Sequence, residues 1–269
     1  METLERPARI WELDFLRGLC VLLMIFDHLC YDLAFVFCDI WFPFPADGTG
    51  FFWWLCNFCR DIYWPSLLRM VVRPLVLAAF IGLCGTSCSF SRSNWKRGLK
   101  LLGVALLLSG VTWGLDAIRG GGPFFRISFG ILHLLAVAIL LYAALRRFGD
   151  TPMLLLVLFL TGAGWYLQSH PFGSGALAGI VGTNYVDFYS ADYFPLLPWL
   201  GYFLLGAVLG GRLYRARVSY FPRGGRAAFF RPFYFMGRHA LFFYVLHQPA
   251  VYLFLVLLGL LVTGSWRPF

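Results

Sequence analysis

Charge is scarce in this chain of 269 residues: Asp, Glu, Lys and Arg together supply 13%, against 60% apolar residues. That shortage excludes an ordinary soluble domain, whose charged share is about twice as large. Acids are scarcer than bases, 13 against 22, which leaves a formal net charge of +9. A charge of that sign can mark a nucleic-acid binder, but a continuous basic stripe is missing. The basic residues fall instead in short clusters between apolar runs, so nucleic acid is not expected as a partner and the charge reads as membrane topology. An internal repeat is also missing, which removes support for a transporter built from inverted halves. So is a short apolar stretch with a small-residue cleavage site, and the first apolar segment is therefore expected to stay as the first helix. Seven cysteines are present, but only Cys56 and Cys59 form a C-x-x-C, with no second such pair and no histidine nearby. No metal is expected there. A disulfide between these two, or from Cys38 to one of them, stays open if that loop faces an oxidising compartment.

Long apolar runs are what the chain does have. They lie near residues 15–38, 63–90, 98–118, 127–145, 151–168, 194–214 and 239–263, each sufficient for a hydrocarbon core of about 30 Å. They predict an all-α, polytopic transmembrane helix bundle of about seven spanning helices, as one domain over residues 1–269. Pro43, Pro45, Asp47 and Gly48 mark the first connection. Residues 168–198 are too many for a plain connection and predict a functional or partly re-entrant segment. Lys and Arg cluster at the N-terminus and in alternate loops, around 92–100, 146–147 and 212–231. By the positive-inside rule the N-terminus is expected to be cytoplasmic. The basic-aromatic stretch around Phe230 and Arg231 reads as a membrane-surface segment. Whether the chain forms a homo-oligomer stays open.

Within the first run, Arg17, His28 and Asp32 share a helix face. Arg17 and His28 are eleven residues apart, about 16 Å along the axis. Ionisable groups inside a bilayer are expensive, so a row of three points to a site. Arg17 can snorkel to a phosphate near the headgroups, although alone it would be an ordinary anchor. His28, deeper, can act as base or nucleophile, with Asp32 at i+4 fixing its tautomer and Asp27 turned about 100° away. The second run carries Arg69 and Arg73. A guanidinium at the depth of Arg73 needs an acid, and Asp27 and Asp32 are the available carboxylates. A catalytic role for Arg73 and a structural ion pair are both open.

Other polar groups form three further candidates. Ser89, Ser91, Arg92, Asn94, Lys96 and Arg97 crowd hydroxyls, an amide and cations at a helix end, which suits a polyanionic nucleotide. His133, with Arg126 seven residues earlier on the same face, and His247 could hold an acceptor, although each histidine alone is more often an interhelical partner. Asp187 and Asp192, amid Asn184, Tyr185, Tyr189 and Tyr193, combine acids and aromatic faces in a way that suits a sugar. An interfacial aromatic belt has the same composition.

Five segments in order, Arg9-Ile-Trp-Glu-Leu-Asp14-Phe-Leu-Arg17-Gly, Ser87-Cys-Ser89-Phe-Ser91-Arg92-Ser-Asn94-Trp-Lys96-Arg97-Gly, Phe129-Gly-Ile-Leu-His133, Pro195-Leu-Leu-Pro198-Trp199-Leu-Gly and Gly237-Arg238-His239-Ala-Leu-Phe-Phe-Tyr244-Val-Leu-His247-Gln248-Pro249, cover nearly the whole chain. Together they resemble small bacterial members of the heparan-alpha-glucosaminide N-acetyltransferase catalytic-domain family. The spacing from Arg17 to His28 is also similar to that of the wider integral-membrane acyltransferases. The resemblance implies a multi-pass enzyme of the bacterial inner (plasma) membrane that takes an acetyl group from cytoplasmic acetyl-CoA and gives it to a sugar or glycan at the opposite face. It implies no heparan substrate for this shorter chain, nor any metal. In that reading Arg17 and the 89–97 loop hold the CoA phosphates, His28 deprotonates the acceptor or carries the acetyl group, Asp32 orients His28, and Arg73 stabilises the oxyanion. A transporter or proton-coupled carrier using the same His, Asp and Arg as a relay is the alternative.

Overall fold

The computed structural model describes residues 10–43, 50–183, 188–221 and 228–263. Pro45, Asp47, Gly48, Asn184, Tyr185 and Asp187 lie outside the described residues. Every regular element among the described residues is helical. α1 runs over Trp11–Trp41, with a wider π-helical turn at Leu33–Phe37. α2, Phe51–Asn57, continues as a π-helical stretch through Phe58–Tyr63. There follow α3 (Leu67–Ser89), α4 (Asn94–Arg119), α5 (Ile131–Leu145), α6 (Asp150–Ser169), α7 (Gly175–Val181), α8 (Trp199–Leu213), α9 (Arg231–Arg238) and α10 (Ala240–Thr263).

Six helices among the described residues are long and apolar enough to cross a bilayer, and α8 is a shorter apolar one. The run expected at 194–214 contracts because Pro195 and Pro198 hold its first residues out of helix. The remaining 15 residues of α8 reach about 22 Å, less than a hydrocarbon core of about 30 Å. The expected start of the second span, residue 63, also moves. Pro65 breaks the chain, Ser66 Oγ accepts the Arg69 amide at 3.2 Å, and α3 begins at Leu67. The long connection after α6 contains α7, tied to the chain that follows by Leu196 N–H to Ile180 O at 2.9 Å and Leu197 N–H to Val181 O at 3.0 Å.

The chain separates into two compact units, Met1–Leu77 with Arg217–Phe269, and Ala78–Ala216. In the first, α1 and α9 cross backbone to backbone. A Cβ on Gly18 would collide with the Phe233 carbonyl, and one on Gly237 with the Asp14 carbonyl. Only glycine permits that approach. Trp11, Phe15, Phe230, Phe233 and Tyr234 pack their rings around the crossing. The stretch expected to lie on the membrane surface is therefore engaged by α1. Further along α1, Cys30, Leu33, Ala34, Phe37, Cys38 and Trp41 recur at helical spacing and bury against α2 and Leu255 of α10.

In the second unit, the C-terminal part of α3 meets α8 through Gly82 and Gly206, and Thr86 Oγ1 donates to the Gly206 carbonyl at 2.8 Å. α5 is the most enclosed helix of this unit, with nine of its 15 residues buried, which matches its nearly unbroken apolar sequence.

The α1–α9 crossing yields a packing test. Gly18→Ala or Gly237→Ala forces the two backbones apart and is expected to destabilise by about 1–3 kcal/mol, as overpacked sites do. Gly103→Ala, with nothing within 4 Å of the new methyl, should leave the melting temperature of the detergent-purified protein within a degree of wild type. Equal melting of Gly18→Ala and Gly103→Ala would contradict the crossing.

Candidate active site

A carbonyl oxygen can only accept a hydrogen bond, and this fixes the chemistry of the centre. His247 Nδ1 lies 2.6 Å from the Tyr244 carbonyl, so in the neutral ring Nδ1 carries the proton and Nε2 keeps its lone pair. His247 Nε2 lies 3.0 Å from His28 Nδ1 and accepts from it. The two rings are 4.9 Å apart at 36°. The His28 ring also donates to the Met24 carbonyl; with its proton on Nδ1 it keeps an unprotonated Nε2, the form that serves as base or nucleophile. The chain of polarity runs from backbone carbonyl through His247 to His28.

Asp32 is paired with Gln248 rather than with His28. Its carboxylate, 2% exposed, receives both hydrogen bonds from Gln248 Nε2, at 3.0 and 2.8 Å. The two helices thus interlock in pairs, His28 with His247 and Asp32 with Gln248. Pro249 lies inside α10 directly after them and cannot donate to the Val245 carbonyl, which loosens the turn that presents both groups. Gln248 Oε1 is buried with no hydrogen-bond partner among the described residues.

Asp27 collects the cations. Arg69 donates to both its oxygens, Nε at 2.7 Å and Nη2 at 3.2 Å, Tyr63 Oη donates at 2.9 Å, and Arg73 Nε lies 3.3 Å away. Arg69 also lies over the Trp64 ring at 3.5 Å. Arg73 is half-exposed, whereas Arg69 is enclosed, so the buried guanidinium of α3 is Arg69. Asp27 and Arg73 are both close enough to act on His28 by charge.

Arg17 is held at the α1–α9 crossing. Its Nη1 donates to Asp14 Oδ1 at 3.0 Å and to the Gly237 carbonyl at 3.3 Å, and Arg238 approaches the same Asp14 at 3.6 Å.

In the second unit, half of the 89–97 cluster closes the α3–α4 turn. Ser89 Oγ donates to Thr86 O, Asn94 Nδ2 to Cys88 O, and Arg97 Nη1 to Ser87 O. Arg92 and Lys96 are exposed, and Ser91 is half-buried. His133 is a satisfied structural group: its Nδ1 accepts the Gly130 amide at 3.3 Å and its Nε2 pairs with Ser109 Oγ at 3.2 Å. Asp192 accepts the Ile131 amide at 3.0 Å, capping α5. Arg126 lies over the Trp113 ring at 5.0 Å. These three expected acceptor contacts sit at the start of α5, while His247 belongs to the His28 centre. No group of three or more His, Cys, Asp or Glu side chains suited to a metal occurs among the described residues.

Fold and site define an all-helical integral membrane protein with a paired-imidazole centre between two long apolar helices. The chain belongs to the family described as heparan-alpha-glucosaminide N-acetyltransferase, catalytic, whose model matches residues 9–54 and 49–249. Membership implies a membrane acetyltransferase. No curated protein and no solved structure matches the chain.

The Asp27 cluster separates a buried pair from an exposed one. Asp27→Asn strips the enclosed Arg69 of its counter-ion and is expected to cost about 3 kcal/mol or more. Arg73→Gln, on the exposed side, should cost about 1 kcal/mol or less. Chemical or thermal unfolding in detergent reads the difference, and a larger loss for Arg73→Gln would contradict the assignment.

Proposed function

We propose that the protein transfers an acetyl group from acetyl-CoA to a hydroxyl or amine of a sugar or glycan, with His28 as the reacting group. Family membership supports the reaction class, and the observation that carries the assignment is the tautomer lock on His28. Charge placement along the chain supports a cytoplasmic N-terminus, so the donor comes from the cytoplasm and the acceptor from the opposite face. A bacterial inner membrane is the setting that the resemblance implies.

The chemistry follows from the bare Nε2. The acceptor's oxygen or nitrogen attacks the thioester carbonyl while His28 Nε2 takes its proton. The C–S bond breaks, and CoA leaves as a thiolate that recovers the proton from His28. One acetyl group and one proton change places, and the pair returns to its starting form. During the step the imidazolium is favoured by sharing its Nδ1 proton with His247 and by the nearby Asp27 carboxylate. Arg73, the less enclosed of the two arginines at Asp27, is the cation we assign to the developing oxyanion. Asp32 anchors Gln248, whose buried Oε1 is an acceptor for an incoming hydroxyl or amine. Arg17, at the crossing of α1 and α9, is assigned to the CoA phosphates; in the second unit Arg92 and Lys96 are exposed cations of a kind that also suits phosphate. An alternative route passes the acetyl group through His28 Nε2 itself, which uses the same lone pair.

The test is acetyl transfer from radiolabelled acetyl-CoA to a panel of amino sugars and glycans by protein in liposomes. His28→Ala should lower the rate roughly 100- to 10,000-fold, the usual worth of a positioned base. Acetyl-CoA should raise the melting temperature of wild type, because a ligand that binds only the folded state stabilises it. Wild-type turnover that survives in His28→Ala would refute the assignment, and an absence of stabilisation at saturating acetyl-CoA would refute the donor.

A further inference from the structure

Four of the seven cysteines meet in twos where α1 packs on α2. Cys30 and Cys59 are close enough for their thiols to interact, and so are Cys38 and Cys56, within one buried cluster. All four are buried, from 0 to 3% exposed, in one apolar cluster with Leu33, Phe37 and Trp41. Two features of the fold produce the register. On α1 the π-helical turn at Leu33–Phe37 lies between Cys30 and Cys38, and on α2 the C-x-x-C places Cys56 and Cys59 three residues apart on neighbouring positions of one face. Cys30, the earlier of the two on α1, meets Cys59, the later on α2, and Cys38 meets Cys56, the order that two antiparallel segments require. Among the described residues no third His, Cys, Asp or Glu is grouped with either couple as a metal ligand, which disfavours zinc.

We infer that Cys30–Cys59 and Cys38–Cys56 are sites of covalent modification, closing as two nested disulfides that staple α2 to the outer half of α1. The closure rests on the orientation proposed above, which puts this end of α1 towards the oxidising side of the membrane. For each couple, one thiol attacks a small-molecule or protein disulfide and releases one thiol from it. The second cysteine then attacks the mixed disulfide and releases the other thiol. Two protein thiols lose two protons and two electrons, and one external disulfide becomes two thiols. The staple bears on the active site through Tyr63, four residues after Cys59, whose hydroxyl donates to Asp27 at 2.9 Å, and through Arg60, which donates to the Ala34 carbonyl at 2.8 Å and to Asp39 at 2.7 Å. Both side chains come from the stapled segment: Tyr63 holds α1 at Asp27, next to His28, and Arg60 holds it further along, at Ala34 and Asp39.

The experiment maps the thiols of the full chain expressed in a bacterial inner membrane. Cells are quenched in acid, denatured in N-ethylmaleimide without reductant, and the peptides are analysed by mass. The expected result is a pair of linked peptides, Cys30 with Cys59 and Cys38 with Cys56, which take up the label only after reduction. In Cys59→Ser, Cys30 should become labelled while the Cys38–Cys56 link persists. Labelling of all four cysteines before reduction, or linkage of Cys56 to Cys59, would overturn the proposal. So would loss of the Cys38–Cys56 link in Cys59→Ser. Acetyl transfer measured on the same preparation reports separately on the enzymatic reading, so a negative thiol map leaves that reading standing and a silent transferase leaves the thiol map interpretable.

Discussion

A helix that carries Asp14, Arg17, Asp27, His28 and Asp32 through an apolar segment is tolerable only if each group finds a partner inside the protein. The first unit is arranged around that demand. Asp14 and Arg17 are met at the crossing with α9, Asp27 by Arg69, Arg73 and Tyr63, His28 by His247, and Asp32 by Gln248. Two devices deliver the partners. Glycines at 18 and 237 let backbones touch near one end of α1, and Pro249 loosens the turn of α10 that presents His247 and Gln248. The polar groups that make α1 costly in a bilayer are the same ones that fix which helices surround it.

Within this set the groups differ in what they leave available. Asp27 is saturated by two guanidiniums and a phenol, and Asp32 by one amide, so both are anchors. The His28–His247 pair is different, because a chain of hydrogen bonds that begins at a backbone carbonyl ends on a nitrogen lone pair. A structural histidine ends otherwise. His133 uses both of its nitrogens, one on the Gly130 amide and one on Ser109, and nothing of its basicity is left over.

Sequence periodicity made the helices legible, since apolar runs report burial in lipid directly. It failed where proline intervened, at the start of α8 and before α3, and it passed over α2, whose aromatic residues lie between turn signals and Pro65. The centre was half legible. His28 and Asp32 stood out as ionisable residues in an apolar run, and the Arg17 spacing survives on a continuous helix. Their partners could not be read, because nothing in a single sequence pairs residue 28 with 247 or 27 with 69. The i+4 spacing of Asp32 suggested a local partner for His28, whereas a tertiary contact, Gln248, claimed the carboxylate. In the serine-rich 87–97 stretch, whose polar residues read as ligand groups, Ser89, Asn94 and Arg97 each donate one hydrogen bond into a tight turn.

The central claim is that His247 holds His28 as the tautomer with a bare Nε2. Nitrogen-15 NMR of histidine-labelled protein in bilayers tests it most directly, with His28→Gln and His247→Gln samples used to assign the two rings. The account predicts both rings neutral and protonated on Nδ1, with an unprotonated Nε2 on His28. A His28 signal showing the proton on Nε2, or one unchanged in tautomer when His247 is replaced, would contradict it.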